Sequence, residues 1–252
     1  MTKVPIIDIE ATEPIHIAFL GDMHYGHKDC NYKALTKFRD WARKPNHYWI
    51  GMGDYIENSA PKSSPPGALW DQKIDPIDQI YWFEDFWQGT TPLWLLEGNH
   101  EWRTPKYTSI PIVDRFSQHL NCLYLDDGEY SIVRINKKIS YVFYTVHGYG
   151  SSATKGYHLR KLVEQAGVDD ADIVGIGHIH QLHHEAFVRK RIKRNRVSWH
   201  EIHGVRTGGF LENPKYVTQR LYRWARIGSP IITLGHNRKS IDVDITTRVP
   251  DD

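Results

Sequence analysis

The chain has 252 residues and 40% of them are hydrophobic, enough to bury the core of one large domain, which we predict to span residues 1–252. Its 32 basic and 30 acidic residues nearly cancel, so overall charge does not favour nucleic acid or a membrane surface as a partner. The two cysteines form no CxxC pair, and no leader-like segment or apolar run of roughly 20 residues occurs, so we expect a cytoplasmic protein without membrane contact.

Apolar runs typical of buried strands recur along the chain, and each ends on Asp, Asn or His beside glycine. A simple turn does not require such side chains, so their position indicates that the strand ends present them to a functional site. In chain order, the runs and the residues that follow them are Ile15 to Leu20 before Gly21-Asp22-Met23-His24, His47 to Met52 before Gly53-Asp54, Leu95-Leu96 before Gly98-Asn99-His100, Tyr141 to Val146 before His147-Gly148, and Ile173 to Ile176 before Gly177-His178-Ile179-His180.

Helical patterns lie between these runs. One has Leu35, Phe38 and Ala42 behind a candidate Asn31 cap, and a second stripe, from Leu159 to Ala166, stops at Gly167. Strands that alternate with helices predict an α/β fold. Because ligands collect at the carboxyl ends of the strands in such sheets, we expect the five polar clusters to meet at one place.

Other segments depart from this alternation. Residues 58–80 are rich in Pro and Ser and predict a loop insertion, which leads into an aromatic helix around residues 81–87. Residues 185–203 predict a β-hairpin with its turn at Lys193-Arg194-Asn195. A helix over 213–227 and a last strand from Ile241 to Ile245 complete the predicted elements.

The five clusters supply two carboxylates, one amide oxygen and four imidazoles. This set is too large for one tetrahedral ion and suits two metal ions that share a carboxylate. Two divalent ions about 3.5 to 4 Å apart can hold a phosphoryl group and activate a water. The predicted metal ligands are Asp22, His24, Asp54, Asn99, His147, His178 and His180, and the adjoining His100 is the candidate general acid for the leaving oxygen.

In this order and spacing the motifs resemble those of the calcineurin-like metallophosphoesterases, whose pattern is D-x-H, G-D, G-N-H, H and G-H-x-H. The resemblance implies a four-layer αββα sandwich with two mixed β-sheets and a dimetal site at the strand ends. It also implies that one metal is held by Asp22, His24, Asp54 and His180, and that Asp54 bridges to a second held by Asn99, His147 and His178. The family's proton-donating histidine corresponds to His100.

We therefore predict hydrolysis of a phosphodiester or phosphomonoester by a metal-bridging hydroxide, with His100 as general acid and a nucleotide or nucleic acid as the preferred substrate. The expected cofactors are two divalent ions, first Mn²⁺, with Zn²⁺, Fe²⁺/Fe³⁺, Ni²⁺ or Mg²⁺ as alternatives. Arg103 and Arg206 are candidate phosphate contacts. The phosphate-binding run of the family's protein Ser/Thr phosphatases is absent, because Gly53-Asp54 is followed by Tyr55-Ile56-Glu57-Asn58.

Two alternatives remain open. One is a DNA exonuclease or endonuclease in which the basic segment from Arg189 to Arg196 grips the backbone, although alternating charge on a hairpin is more often a solvated face. The other is a non-catalytic metal-binding scaffold of the same fold. The aromatic residues 81–87 are either core or base-stacking groups. Four histidines near the proposed ligands are candidates for supporting the metal site, namely His27, His183, His184 and His203.

Overall fold

The computed structural model describes residues 3–62, 68–105, 109–126, 128–150, 156–165, 167–193, 195–212, 226–246 and 249–250. The helix predicted over 213–227 falls almost wholly outside these residues. The strands, in chain order, are β1 Ile6–Ile9, β2 Ile15–Leu20, β3 His47–Gly51, β4 Pro92–Leu96, β5 Leu123–Leu125, β6 Glu129–Ile135, β7 Ile139–Val146, β8 Ile173–Ile176, β9 His183–Lys193, β10 Arg196–Arg206, β11 Ile231–Leu234 and β12 Ile241–Asp244. The helices are α1 Tyr32–Ala42, α2 Ala68–Asp71, α3 Pro76–Phe86, α4 Ile112–Leu120 and α5 Tyr157–Gln165.

The strands form two six-stranded sheets, with the orders β1-β6-β7-β8-β10-β9 and β12-β11-β2-β3-β4-β5. Both sheets are mixed: β2, β3, β4 and β5 are parallel in one, while β11 runs antiparallel to β2. In the other, β7, β8 and β10 are parallel and β9 is antiparallel to β10.

Helices cover the outer faces of both sheets, which pack against each other through their inner faces. Successive side chains of β2 point to opposite faces of the sheet. Phe19 lies in the core between the sheets with Phe143, while Leu20 points to the helices. On that outer side Phe38 of α1 packs with residues of α3 and α4, and α5 packs through Val163 on the other sheet. The predicted four-layer αββα sandwich is therefore confirmed.

Local sequence signals explain several helix boundaries. The Asn31 side chain accepts a 2.8 Å hydrogen bond from the backbone N–H of Ala34, so the predicted cap starts α1. The predicted loop over residues 58–80 contains more structure than we expected, because α2 lies within it and α3 begins at Pro76, where proline suits a first helical turn. The aromatic residues at 81–87 are mainly core, since Phe83, Phe86 and Trp87 are buried.

The hairpin of β9 and β10 extends past its neighbour in the sheet. Strand β10 pairs with β8 only from His203, opposite Ile173, to Arg206, opposite Ile176. Since the two strands are parallel, residues 196–202 project beyond the amino end of β8, at the edge opposite the one where the polar clusters follow the strands.

Among the described residues, no helix has the length and hydropathy that crossing a bilayer requires.

Candidate metal centre

Left-handed backbone turns present most of the predicted ligands. Non-glycine residues rarely adopt positive φ, and where they do the strain is often held at functional sites. Two glycines let the loops approach closely: Gly53 has φ of 85°, and a Cβ on Gly98 would lie 2.1 Å from the backbone nitrogen of Asp54. Five predicted ligands have φ between 47° and 67°, namely Asp22, His24, Asp54, His178 and His180.

The loops after β2 and β8 bring together one group of donors, formed by Asp22, His24 and His180. His180 Nε2 lies 3.2 Å from Asp22 Oδ1 and 3.2 Å from His24 Nε2. The other ring nitrogen of His24, Nδ1, lies 3.2 Å from Glu57 Oε2, so it carries the proton and leaves the lone pair of Nε2 facing the group. Two imidazole nitrogens this close fit neighbouring positions around an ion that binds each at about 2.0 to 2.1 Å.

Hydrogen bonds hold the Asp22 carboxylate in place. The backbone N–H of His178 donates to both oxygens, at 3.1 and 3.0 Å, and the Thr207 hydroxyl donates to Oδ2 at 3.0 Å. These bonds connect the loop after β2 with the loops after β8 and β10. The carboxylate is therefore fixed by both sheets.

A second group consists of Asp54, His147 and His178. His147 Nδ1 donates its proton to the Met52 carbonyl at 2.7 Å, so Nε2 is the ring nitrogen that faces Asp54 Oδ2 at 3.4 Å and Asn99 Oδ1 at 3.2 Å. His178 Nδ1 is buried and has no hydrogen-bond partner among the described residues. A buried, unpaired nitrogen is costly unless it has a ligand to bind.

The carboxylate of Asp54 lies between the two groups. Its Oδ2 is 3.4 Å from His147 Nε2 in the second group and 3.9 Å from His24 Nε2 in the first. Its Oδ1 accepts a 2.8 Å bond from the backbone N–H of His100. The donor chemistry, the orphaned nitrogen of His178 and this shared carboxylate together fit two divalent cations.

His100 lies at the edge of the centre beside Arg103. The ring of His100 donates from Nδ1 to the Glu57 carbonyl at 2.7 Å, and its Nε2 accepts from Arg103 Nη2 at 2.9 Å. Arg103 Nη1 also donates to the Glu57 carbonyl at 2.7 Å. The candidate acid and a candidate phosphate contact therefore touch each other.

The electrostatics of the centre couple its acids and imidazoles. Burial by itself would raise the pKa of the Asp54 carboxyl, but the rings of His100 and His147 lower it well below its usual value. Burial opposes the charged ring of His147, yet Asp54 raises that pKa to about 10. For His100 burial dominates and lowers the pKa to about 3, so the ring is neutral near pH 7. Metal binding at these donors would displace the protons that the carboxylates now hold on the imidazoles.

Two acidic residues at the centre were not assigned a role from the sequence. Glu57 is buried, and although burial opposes its charge, the hydrogen bond from His24 lowers its pKa to about 2. Glu101 is fully buried and accepts backbone N–H bonds from Asp54, Tyr55, Ile56 and Gly98. The sequence does contain a signal for both residues, because each carboxylate lies close to a proposed ligand: position 57 is near Asp54 and position 101 is near Asn99.

Other predicted residues lie apart from the two donor groups. The Arg206 side chain is buried and donates from Nε to the Gln181 carbonyl at 2.6 Å. His184 and His203 pair with each other on the hairpin, with Nε2 and Nδ1 3.3 Å apart. His183 lies 3.5 Å from Glu185, and His27 accepts from the backbone N–H of Asp29. The backbone N–H of His27 donates to the carbonyl of the predicted ligand His24 at 3.0 Å, so among these residues His27 adjoins the centre.

Comparison of the sequence with models of known protein families gives a match over most of the chain. The sequence model of the calcineurin-like phosphoesterases matches residues 15–236. No curated protein sequence matches the chain significantly. Similar solved structures include a predicted phosphoesterase from Streptococcus pneumoniae, at 13% identity and a TM-score of 0.37, where the match covers 93% of this chain and 99% of that one.

Two further structures are similar at 10% identity. One is the NAD nucleotidase of Haemophilus influenzae, with a TM-score of 0.43 and coverage of 92% of this chain and 49% of that one. The other is GAP50 of Plasmodium, described as the anchor in the inner membrane complex, with a TM-score of 0.45 and coverage of 92% and 84%.

Proposed function

This chain belongs to the calcineurin-like phosphoesterase family, and we propose on that premise that it hydrolyses phosphoester bonds at a centre of two divalent ions, Mn²⁺ being our first choice. The position of Asp54 Oδ2 between the two donor groups carries this proposal. One ion would be held by Asp22, His24, Asp54 and His180, and the other by Asp54, Asn99, His147 and His178. When bound, such ions polarise phosphoryl oxygens and lower the pKa of water, which makes it a nucleophile near neutral pH.

The residues of the chain orient these ligands. Glu57 and the Met52 carbonyl fix the ring tautomers of His24 and His147, so that Nε2 of each ring is the binding atom. Asn99 presents its side-chain oxygen 3.2 Å from His147 Nε2. Donors that are already in place cost little reorganisation when charge gathers on a phosphoryl group.

We assign His100 the transfer of a proton to the leaving oxygen. Nδ1 is fixed by the Glu57 carbonyl, so the proton would be carried on Nε2. In this structure Arg103 donates to that nitrogen. A substrate phosphate would draw the Arg103 guanidinium to itself, and its negative charge would raise the pKa of the His100 ring and favour the protonated acid.

The geometry favours Arg103 over Arg206 as the phosphate contact. Arg103 lies against His100, whereas Arg206 is buried and bound to Gln181. We further propose that a nucleotide is the preferred substrate and that the enzyme is cytoplasmic. We do not propose a nuclease in which the hairpin holds DNA in the active site. Residues 196–202 of that hairpin project from the opposite edge of the sheet.

A hydrolysis screen with Mn²⁺ tests the proposal and defines the substrate class. The panel consists of an aryl phosphomonoester, an aryl phosphodiester, cyclic nucleotides and single-stranded DNA. We expect turnover of at least one ester that disappears with excess chelator and returns with Mn²⁺. Absence of metal-dependent turnover across the panel, in protein shown to contain two ions, would favour the non-catalytic scaffold.

A further inference from the structure

The amide of Gln79, on helix α3, is buried inside the protein with every polar atom bonded. The residue has 0% of its surface exposed. Its Nε2 donates to the Ile74 carbonyl at 2.6 Å and to Gln72 Oε1 at 3.0 Å. Its Oε1 accepts from the backbone N–H of Asn58 at 2.9 Å. Two acceptors on one side and a donor on the other fix the orientation of this amide.

The peptide that joins Glu57 to Asn58 connects Gln79 with the candidate acid. This peptide is trans, so its N–H and its C=O point in opposite directions. The N–H is bound to Gln79, while the C=O accepts from His100 Nδ1 at 2.7 Å and from Arg103 Nη1 at 2.7 Å. Gln79 therefore acts on the His100 ring through one planar peptide unit.

The direction of this peptide matters for proton donation. A ring that gives a proton from Nε2 to a leaving oxygen while Nδ1 keeps its own needs an acceptor at Nδ1, and the Glu57 carbonyl is that acceptor. A peptide turned by half a rotation would present its N–H to Nδ1 instead. That nitrogen would then have to accept, and His100 would lose the doubly protonated form that acts as the acid.

The surroundings of Gln79 are built to hold the amide in place. A Cβ on Gly26 would lie 2.4 Å from both Cδ and Nε2 of Gln79, so the loop after β2 leaves room for the amide only because it has glycine there. Gln72 Oε1, which accepts from Gln79, also accepts from the backbone N–H of Ser59 at 2.7 Å. The amide is thus enclosed by the loops that follow β2 and β3.

The main chain of His100 is held by the same loop. The backbone N–H of His100 donates to Asp54 Oδ1 at 2.8 Å, and its carbonyl accepts from Asn58 Nδ2 at 2.7 Å. With both backbone groups bound, the ring has its own rotation left, and the contact with the Glu57 carbonyl sets that rotation.

We propose that Gln79 is a positioning residue for His100, because its amide holds the Glu57–Asn58 peptide with the carbonyl toward Nδ1. None of the three residues that bond to the Gln79 amide is a predicted metal ligand. This role rests on the proposed function of His100 as general acid, and it adds a residue of α3 to the machinery of proton donation.

The ratio of the rates on a nitrophenyl ester and on a nucleoside ester tests this role. Loss of a metal or of a phosphate contact lowers both rates together, whereas loss of the acid lowers the nucleoside-ester rate selectively. Gln79→Met has a side chain of similar size without the amide oxygen. It should retain both metals and raise the ratio about 10- to 100-fold, the cost of misplacing a catalytic group by about 1 Å.

A double-mutant cycle shows whether the effect passes through His100. Added to His100→Asn, the Gln79→Met change should alter the ratio less than about twofold, because the group through which it acts is gone. A further rise of the ratio in the double variant, or a parental ratio in folded Gln79→Met, would overturn the role.

Gln79→Glu is the matched control. A buried carboxyl is protonated, so one oxygen still accepts from Asn58 while the hydroxyl donates to Ile74. Its ratio should stay within about twofold of the parent, since the peptide keeps its partner. Tyr141→Phe controls for lost stability, because it removes a buried hydroxyl that donates to the Gly235 carbonyl at 2.7 Å, about 20 Å along β7 from the site. A ratio raised equally in either control would also overturn the role.

Two further measurements cover the remaining outcomes. If Gln79→Met does not fold, Gln72→Met at a half-buried position removes one of the acceptors that orient the amide, and it should raise the ratio at least about threefold. A parental ratio there would overturn the role.

Long-range ¹H–¹⁵N correlation spectra of the Zn²⁺-loaded protein read the His100 tautomer without turnover, and His100→Asn identifies the signal. We expect a proton on Nδ1 in the parent and a mixture of tautomers in Gln79→Met. An unchanged tautomer would overturn the role of Gln79 whatever the rates are. A changed tautomer in a protein that hydrolyses neither ester would instead overturn the proposed function and leave the contact between Gln79 and His100 established.

Discussion

The buried carboxylate of Glu101 accepts a 2.8 Å hydrogen bond from the backbone N–H of Asp54. The same side chain accepts from Gly98 with Oε2 and from Tyr55 and Ile56 with Oε1. Four donors from the loops after β3 and β4 thus converge on one residue. Because Asp54 is the proposed shared ligand, the position of both metal sites depends on this contact.

Glu101→Gln should destabilise the protein and weaken metal binding. Glutamine offers one oxygen, so its NH₂ group would face two of the four N–H donors, and leaving two buried donors unpaired costs about 2 to 6 kcal/mol. Chemical denaturation and metal titration measure the two effects. Glu97→Gln, on the same loop, is the control for loss of charge, and equal stability of parent and Glu101→Gln would contradict the assigned role.

Chelator-stripped protein should lose ester hydrolysis and regain it with Mn²⁺, and metal should raise the melting temperature because it binds the folded state. Asp54→Asn should lower occupancy at both sites and be among the most damaging single changes. Asp40→Asn, at an exposed position on α1, is the control. Two bound ions and a parental rate in Asp54→Asn would show that Asp54 is not the bridge.

His100→Asn should retain both metals and slow hydrolysis according to the leaving group. An alkyl or nucleoside ester needs a proton on its leaving oxygen, so we expect a loss of about 10² to 10⁴ in rate, and a much smaller loss with a nitrophenyl ester. Rates on both esters, together with the metal content, test this. Equal losses with full occupancy would instead make His100 a phosphate-positioning group.

The paired rings of His184 and His203 should reduce stability at acidic pH. Burial is the largest effect on both rings and lowers the pKa of each from the usual value of 6.5. The nearby carboxylates of Glu201 and Asp242 oppose this effect but do not cancel it. Below about pH 6.5 the unfolded state then binds more protons than the folded state, so the unfolding free energy falls as pH falls. Each proton contributes at most about 1.4 kcal/mol per pH unit.

Urea unfolding at pH 7.5 and 5.5 measures this effect. Replacing both rings, His184→Asn with His203→Asn, should leave a smaller loss of stability between the two pH values than in the parent. An identical loss in parent and variant would show that the pair is protonated equally in the folded and unfolded states.

The family and the order of the strands at the site were accessible from the sequence. Strands β2 and β8 have the predicted bounds, because short apolar runs ending at glycine define them locally. The edge strand β5 and the strands β1, β6 and β11 were not predicted, since their pairing depends on distant partners and their patterns are weak. The loop predicted over residues 58–80 was incomplete because α3, which packs against the rest of the fold, begins within it at Pro76, and because the short helix α2 also lies there, although it buries no residue.

Residue type and order by themselves were enough to predict the donor set, because carboxylate, amide and imidazole groups at successive strand ends suit only a few kinds of chemistry. Only the tertiary structure decided how these donors are held. Glu57 fixes the tautomer of His24, Glu101 gathers the N–H groups around Asp54, and the hairpin points away from both donor groups. The physical reason is that hydrogen bonds between loops and the direction of a strand in a sheet are set by packing across distant parts of the chain, which local sequence does not encode.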